Sequence, residues 1–173
     1  MNTRRSLLWA LILITALAAG IGVGVWRLTP DSAPRADWFF LLEAPNAAGE
    51  KQVLGQHRGR LTVVNFWATW CPPCVEEMPE LSQFHTDLAL SGVKVIGIAV
   101  DSPSSVREFL QERPVSYPSF TLGASGSELA RKLGAPADAL PYTVLINEEG
   151  DVLKQKMGKI TGDELRTWIK ELK

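Results

Sequence analysis

Residues 65–74 read Asn-Phe-Trp-Ala-Thr-Trp-Cys-Pro-Pro-Cys, and this stretch decides how the chain folds. Residues 61–67 are β-branched, aromatic and almost continuously apolar, which predicts a strand that is buried on both faces. Beyond Cys71, apolar side chains recur at steps of three or four residues, which predicts an amphipathic helix; they are Val75, Met78, Leu81, Phe84 and Leu88. The cysteines therefore lie where a buried strand ends and a helix begins.

Cys71 and Cys74 are the only two cysteines in the 173 residues. The first turn of a helix has unpaired N–H groups and the positive end of the helix dipole, which stabilise an anion. A free thiol has a pKa of about 8.5, and this placement lowers it. Pro72 suits the first helical position because it has no N–H to lose. We therefore predict that Cys71 is the attacking thiolate and that Cys74 resolves the mixed disulfide.

A zinc site is the main structural alternative for this pair. Zinc needs about four ligands, and the other soft candidates are His57 and His85, neither of which has ligand spacing. We predict that both histidines are ordinary surface residues. An inert buried pair is disfavoured because Pro72 and Pro73 build a tight exposed turn, so the sequence favours redox chemistry over a metal site.

Two further residues are candidates for the site. Pro141 precedes an apolar segment, and because a central strand cannot contain proline it must stand at the strand's start; from the residues alone, a trans bond before it is favoured. Glu77 comes three residues after Cys74. If partly buried, it would titrate above its ordinary range and could exchange a proton with Cys74. The alternative is an exposed acid that stabilises the helix dipole, a role that suits Glu76 better.

The rest of the chain alternates between strand-like and helix-like segments, which predicts an α/β fold with a mixed central sheet and helices on both faces. We predict strands at 38–42, 93–100, 117–122, 143–146 and 152–157, the last two forming a hairpin. We predict helices at 104–111 with Ser104 as cap, at 127–133, and at 161–172 with Thr161 and Glu164 in capping-box spacing.

Composition supports a packed core, since 46% of residues are hydrophobic and 21% are charged. The net charge of −1 and the pI of about 6.1 give no electrostatic case for binding nucleic acid.

The N-terminal segment has the features of a membrane-targeting sequence. Arg4 and Arg5 precede residues 7–26, an uncharged and largely apolar run of bilayer length. We favour an uncleaved transmembrane anchor over a cleaved signal peptide, for which residues 16–18 offer a site. The arginines keep residues 1–6 in the cytoplasm. Residues 27–36 would be a linker, and residues 37–173 a domain outside the cytoplasm.

Residues 37–173 resemble the membrane-anchored TlpA/ResA group of bacterial thiol–disulfide oxidoreductases, within the thioredoxin superfamily. The resemblance rests on residues 65–74, on Glu-Met-Pro-Glu-Leu at 77–81, and on Pro-Tyr-Thr-Val-Leu-Ile-Asn at 141–147. It implies a thioredoxin fold with an N-terminal extension and with a strand–helix insertion at 93–120.

The resemblance also implies roles. Cys71 and Cys74 would form a redox-active disulfide, with Glu77 as the active-site acid. The bond from Leu140 to Pro141 would be cis, with the Leu140 backbone pairing with a client strand. Clients would bind at a surface formed by Trp70, Pro72, Pro73, Leu140 and Pro141.

Proteins of this group need no cofactor and usually act as reductants, fed electrons by a membrane thiol transporter. Their location is the bacterial inner membrane, single-pass, with the domain in the periplasm. Their clients include apocytochrome c and copper-site assembly proteins.

Two departures limit this inference. Residues 134–140 do not match the branch dedicated to cytochrome c maturation, so that client is not assigned. The dipeptide between the cysteines is Pro-Pro instead of thioredoxin's Gly-Pro, and this dipeptide tunes the redox potential. A copper-binding assembly chaperone on the same fold is the alternative function. It would need a histidine, so we expect replacement of both His57 and His85 to leave redox activity unchanged.

Overall fold

The computed structural model of the protein describes residues 35–137 and 139–172. The predicted cytoplasmic segment (1–6), the anchor or signal peptide (7–26) and most of the linker (27–36) lie outside these residues. Among the described residues, no helix is both long and apolar enough to cross a membrane.

A five-stranded mixed sheet forms the centre of the fold. Its strands are β3 Leu61–Trp67, β4 Val93–Ala99, β5 Ser119–Thr121, β6 Tyr142–Asn147 and β7 Val152–Met157. They lie in the order β5-β4-β3-β6-β7; the pairings of β3 with β4 and of β4 with β5 are parallel, and those of β3 with β6 and of β6 with β7 are antiparallel. β1 (Glu43–Pro45) and β2 (Lys51–Val53) form a separate hairpin. All seven residues of the central strand β3 are buried, as its composition predicts.

Within the part of the chain that the structure describes, four α-helices pack on the two faces of this sheet, as predicted. They are α1 Pro72–Leu88, α2 Pro103–Glu112, α3 Ala124–Lys132 and α4 Gly162–Glu171. Val63 points into a cluster with residues of α1 and α4, whereas Val64 points into a cluster with residues of α3. Successive residues of a strand face opposite sides, so β3 contributes to both cores at once.

Two local predictions are wrong. Residues 38–42 do not form a strand: Asp37–Leu41 is a 3-10 turn, in which Phe39 and Phe40 are both buried and pack edge to face. An alternating strand would have put one of the two rings in solvent. Ser104 does not cap α2, because Pro103 already occupies its first turn; the cap is Ser102, whose Oγ accepts from the Ser105 N–H at 3.1 Å.

The other elements agree with the predictions apart from their bounds. The short strand is confined to β5, and α3 begins three residues earlier than predicted. The hairpin of β6 and β7 is confirmed. The capping box at the start of α4 is confirmed too, with Thr161 and Glu164 bonded in both directions.

Candidate active site

Cys71 and Cys74 form a disulfide at the beginning of α1, with an S–S distance of 2.01 Å and a Cα–Cα distance of 5.3 Å. Cys71 is the residue before the helix, and Pro72 and Pro73 occupy its first two positions. Cys71 retains 5% exposure, whereas Cys74 retains none. A partner approaching from solvent therefore reaches the sulfur of Cys71 first.

The loop that carries the cysteines is held by Asp101, a residue that the sequence analysis missed. The Thr69 N–H donates to Asp101 Oδ2 at 3.1 Å, and the Thr69 hydroxyl donates to the same oxygen. Asp101 lies just beyond the end of β4, the parallel neighbour of β3. An acid directly after a parallel strand meets the loops at the same sheet edge, which is the signal that could have identified it.

The segment before β6 lies at this same edge, because Tyr142 pairs with Phe66, which is close to the end of β3. The bond between Leu140 and Pro141 is cis, as the resemblance implies and contrary to what the residues alone favour. The Pro141 carbonyl accepts from the Gly158 N–H at 2.8 Å. Leu140 packs against the cluster that contains both cysteines.

Trp70 is the most prominent side chain at the site, with 65% exposure. It lies beside a shallow cavity of about 240 Å³ that also has Leu140 and Val100 in its wall. The described residues that complete its lining carry no charge; they are Ser127, Ala130, Ala135, Pro136 and Ala139. Pro72 and Pro73 are exposed beside the disulfide.

Glu77 is completely buried below the disulfide, with 0% exposure. Its Oε1 accepts from Asn65 Nδ2 at 2.6 Å, and its Oε2 accepts from the Ile160 N–H at 2.7 Å. Burial raises the pKa of Glu77 from 4.5 to about 7, because the loss of hydration outweighs these bonds and the charges of Lys159 and Lys156.

The sequence left two interpretations of Glu77 open, and the structure places it in the interior. Its neighbour Glu76 is the exposed acid, paired with Lys159 at 3.1 Å. Residues three apart on a helix share a face, so Glu77 lies on the same side of α1 as Cys74. Because its pKa is about 7, this carboxyl group can take up and release a proton near neutral pH.

The two histidines are partly buried instead of being ordinary surface residues. His57 shares a hydrogen bond with Gln52, and His85 Nδ1 accepts from the Val95 N–H at 3.2 Å. Burial lowers the pKa of both, with the charge of Lys94 as a smaller cause. His85 follows Cys74 by eleven residues of α1, or about 16 Å along the axis. In residues 35–137 and 139–172, no group of three or more His, Cys, Asp or Glu side chains could hold a metal ion.

The profile of the Redoxin family matches residues 29–167. The chain belongs to the Redoxin family. This Redoxin protein is 30% identical over 135 residues to the thiol–disulfide oxidoreductase ResA of Halalkalibacterium halodurans, an alignment that covers 78% of this chain and 73% of that protein. It is 25% identical to ResA of Bacillus cereus over an alignment of 175 positions, which covers 98% of this chain and 98% of that protein.

A solved structure, that of StoA from Bacillus subtilis, has a TM-score of 0.60 and 25% identity to this Redoxin protein, covering 74% of this chain and 95% of that one. The protein is thus a ResA-like thiol–disulfide oxidoreductase with the thioredoxin fold. The structure brings the predicted site residues to one sheet edge and adds Asn65, Ile160 and Asp101 to them.

Proposed function

We propose that this Redoxin protein reduces protein disulfides outside the cytoplasm. In this proposal Cys71 is the nucleophile, Cys74 the resolving thiol and Glu77 the group that takes the proton of Cys74. One observation carries it: a fully buried carboxylate lies one helical turn beyond a pair of which only the first cysteine retains any exposure.

The first step is an attack on the client. The Cys71 thiolate attacks one sulfur of the client disulfide, so that a bond forms between Cys71 and the client while the client's own S–S bond breaks. The departing client sulfur leaves as a thiolate. Unpaired N–H groups at the start of α1 stabilise the attacking anion.

The second step releases the client. Cys74 gives its proton to the Glu77 carboxylate and, as a thiolate, attacks the sulfur of Cys71. The bond between the two cysteines forms, the bond to the client breaks, and the second client sulfur leaves. The client gains two electrons and the Cys71–Cys74 pair loses two, so a dithiol donor must restore the reduced state.

The client is proposed to bind as an extended segment beside Leu140. None of the loop and turn hydrogen bonds between described residues uses the N–H or the carbonyl of Leu140, so both can pair with a client strand. Trp70 with the adjoining cavity, together with the exposed Pro72 and Pro73, would contact client side chains. Pro141 would hold this segment at the mouth of β6.

The reducing direction is supported by the charge of Glu77. A buried carboxylate close to Cys74 disfavours a second negative charge on the sulfurs. This counteracts the stabilisation of the thiolate by the helix, and a dithiol that is less stabilised gives up its electrons more readily.

The decisive experiment is a measurement of the redox potential of the purified chain against dithiothreitol and glutathione. We expect a value below about −200 mV, as in reducing members of the thioredoxin superfamily. A value near about −120 mV, as in strong periplasmic oxidants, would overturn the reducing direction. Glu77→Gln should make the potential less negative.

The extracytoplasmic location is supported by the N-terminal sequence, in which Arg4 and Arg5 precede the apolar residues 7–26. We propose a single-pass anchor in the bacterial inner membrane, a periplasmic domain and a membrane thiol transporter as electron donor. Apocytochrome c and metalloprotein assembly factors are the proposed client classes. A membrane-impermeant thiol reagent should label Cys71 in intact reduced spheroplasts; labelling only after lysis would overturn the location.

A further inference from the structure

Asn65 is a polar side chain in the middle of β3, a strand that is otherwise mostly apolar. It is completely buried, between Gly97 on β4 and Thr143 on β6. Burying an amide is unfavourable unless it is hydrogen bonded, so its presence here calls for a physical reason. The two steps proposed above do not use it.

The amide of Asn65 acts as a donor only. Its Nδ2 lies 2.6 Å from Glu77 Oε1 and 3.0 Å from Thr143 Oγ1, so that both of its N–H bonds have acceptors. Its Oδ1 is buried and has no hydrogen-bond partner within the described part of the chain. The free energy gained by pairing the NH₂ group with the carboxylate and the hydroxyl therefore outweighs the cost of leaving the buried Oδ1 without a donor.

The second oxygen of Glu77 determines where a proton can go. Oε2 accepts from the Ile160 N–H, and because a backbone N–H cannot accept, Oε2 remains an acceptor. Of the two donors that face Glu77, only the amide of Asn65 can turn over and present an acceptor, so a proton on Glu77 is accommodated more readily on Oε1. There the new O–H would oppose the NH₂ group, unless the amide turns over and presents Oδ1.

We propose that Asn65 is a positioning residue, which fixes Oε1 of Glu77 through its Nδ2–H and weakens the hold of Glu77 on a proton, so that Glu77 releases as well as accepts the proton that it exchanges with Cys74. This inference rests on the proposed function, since it needs proton exchange between Glu77 and Cys74.

Other groups around Glu77 act in a defined direction. Lys156 on β7 and Lys159 before α4 lower its pKa through their charges. Cys74 lies three residues before it, on the same side of α1. Tyr117 is buried nearby, and burial raises the pKa of its hydroxyl, so it stays neutral. Because burial already raises the pKa of Glu77 to about 7, the loss of the Asn65 bond would raise it further.

The test is Asn65→Leu, which keeps the size of the side chain and removes the donor. The titration of the Glu77 carboxyl is followed by NMR, together with the pH dependence of disulfide exchange by the full chain. We expect the Glu77 midpoint to rise by about one to two pH units. The acid limb of the rate profile should move with it. An unchanged midpoint in a folded variant would overturn the proposal.

Two further variants keep the test informative if Asn65→Leu does not fold correctly. Thr62→Val removes a buried hydroxyl from the same strand, one that accepts from the Gly59 N–H at 3.1 Å and does not contact Glu77; its midpoint should equal that of the wild type. Thr143→Val removes the second acceptor that orients the amide, and should raise the midpoint by less than Asn65→Leu. If Asn65→Leu does not fold, an unchanged midpoint in Thr143→Val overturns the proposal.

A double-mutant cycle separates this inference from the proposed function. In a Glu77→Gln background, Asn65→Leu should cause no further change in the pH profile; an equal change in both backgrounds would overturn the role of Asn65. If Glu77→Gln alone leaves the pH profile unchanged, the proton exchange with Cys74 fails. The NMR midpoint would still report whether Asn65 controls Glu77.

Discussion

The two ends of β3 are about 20 Å apart and treat charged side chains in opposite ways. Beyond Trp67, the carboxylate of Glu77 is completely buried and is held by Asn65 and a backbone N–H. Before Leu61, the charged groups stay at the surface. There Arg35 pairs with Asp37 at 2.6 Å, with side-chain exposures of 62% and 43%.

At the exposed end of β3, two arginine side chains connect segments that are distant in the sequence. Arg35 forms a β-bridge with Asp151 and donates to the Glu149 carbonyl at 2.9 Å, while the Arg58 guanidinium stacks over Phe40 at 4.5 Å. Exposed pairs of this kind contribute about 0–1 kcal/mol, because water screens their charges. The contrast teaches that burial, more than the presence of charge, turns an acidic side chain into a group with altered proton affinity.

The comparison of the two ends would fail if disulfide exchange continued after Cys71 was replaced. Cys71→Ser should lower disulfide exchange by at least about a thousand-fold, since no nucleophile remains accessible. Cys74→Ser should still capture clients and accumulate the mixed disulfide, seen as a reducible adduct on gels. Normal exchange by Cys71→Ser would contradict both the roles and the contrast.

The effect of the buried Glu77 on the free energy of unfolding can be measured with Glu77→Gln in the disulfide form, in which neither cysteine titrates. The pKa of Glu77 is about 7 in the folded state and about 4.5 when exposed. Between these values the folded chain binds more protons than the unfolded chain, so wild-type stability falls as pH rises from 4.5 to 7. Relative to the Gln variant, the wild type should lose about 3 kcal/mol across this window.

Urea unfolding at a series of pH values checks this expectation, because all other titrating groups cancel in the difference between the two proteins. Glu76→Gln is the matched control, since it makes the same substitution at the neighbouring, exposed acid. A flat difference for Glu77→Gln would show that the buried carboxyl is not perturbed.

A variant of Trp70 tests whether the surface beside the redox pair binds clients. Trp70→Ala should raise the KM for a protein client by about ten-fold, since exposed aromatic side chains dominate binding at such surfaces. The rate with oxidised glutathione should change little, because so small a disulfide does not need the cavity. An equal loss with both substrates would place Trp70 in the chemistry instead of in client binding.

The smallest effect is expected at the opposite end of β3. Asp37→Asn should lower the free energy of unfolding by no more than about 1 kcal/mol, because its pairs with Arg35 and Arg58 are exposed. High salt should reduce the difference, and disulfide exchange should be unchanged. A loss of exchange in this variant would mean that the two ends are coupled.

Local patterns were predicted well where neighbouring residues decide the structure. The junction of β3 and α1 follows from an apolar run and from helical spacing after Cys71, and the capping box at Thr161 is a contact between residues three apart. The turn at Asp37–Leu41 could not be predicted in this way. Its apolar residues suit a strand, and only packing against distant elements buries Phe39 and Phe40 together.

The redox pair could be predicted from the sequence alone, because two cysteines separated by two residues at the start of a helix are a local arrangement. The sequence also identified Glu77, Leu140 and Pro141 as candidates, although their roles came from a family resemblance. Only the tertiary structure decided that Glu77 is buried and that Asn65 and Ile160, 12 and 83 positions away, are its partners. The physical reason is that proton affinity depends on hydration and on hydrogen-bond partners, and folding alone brings those partners together.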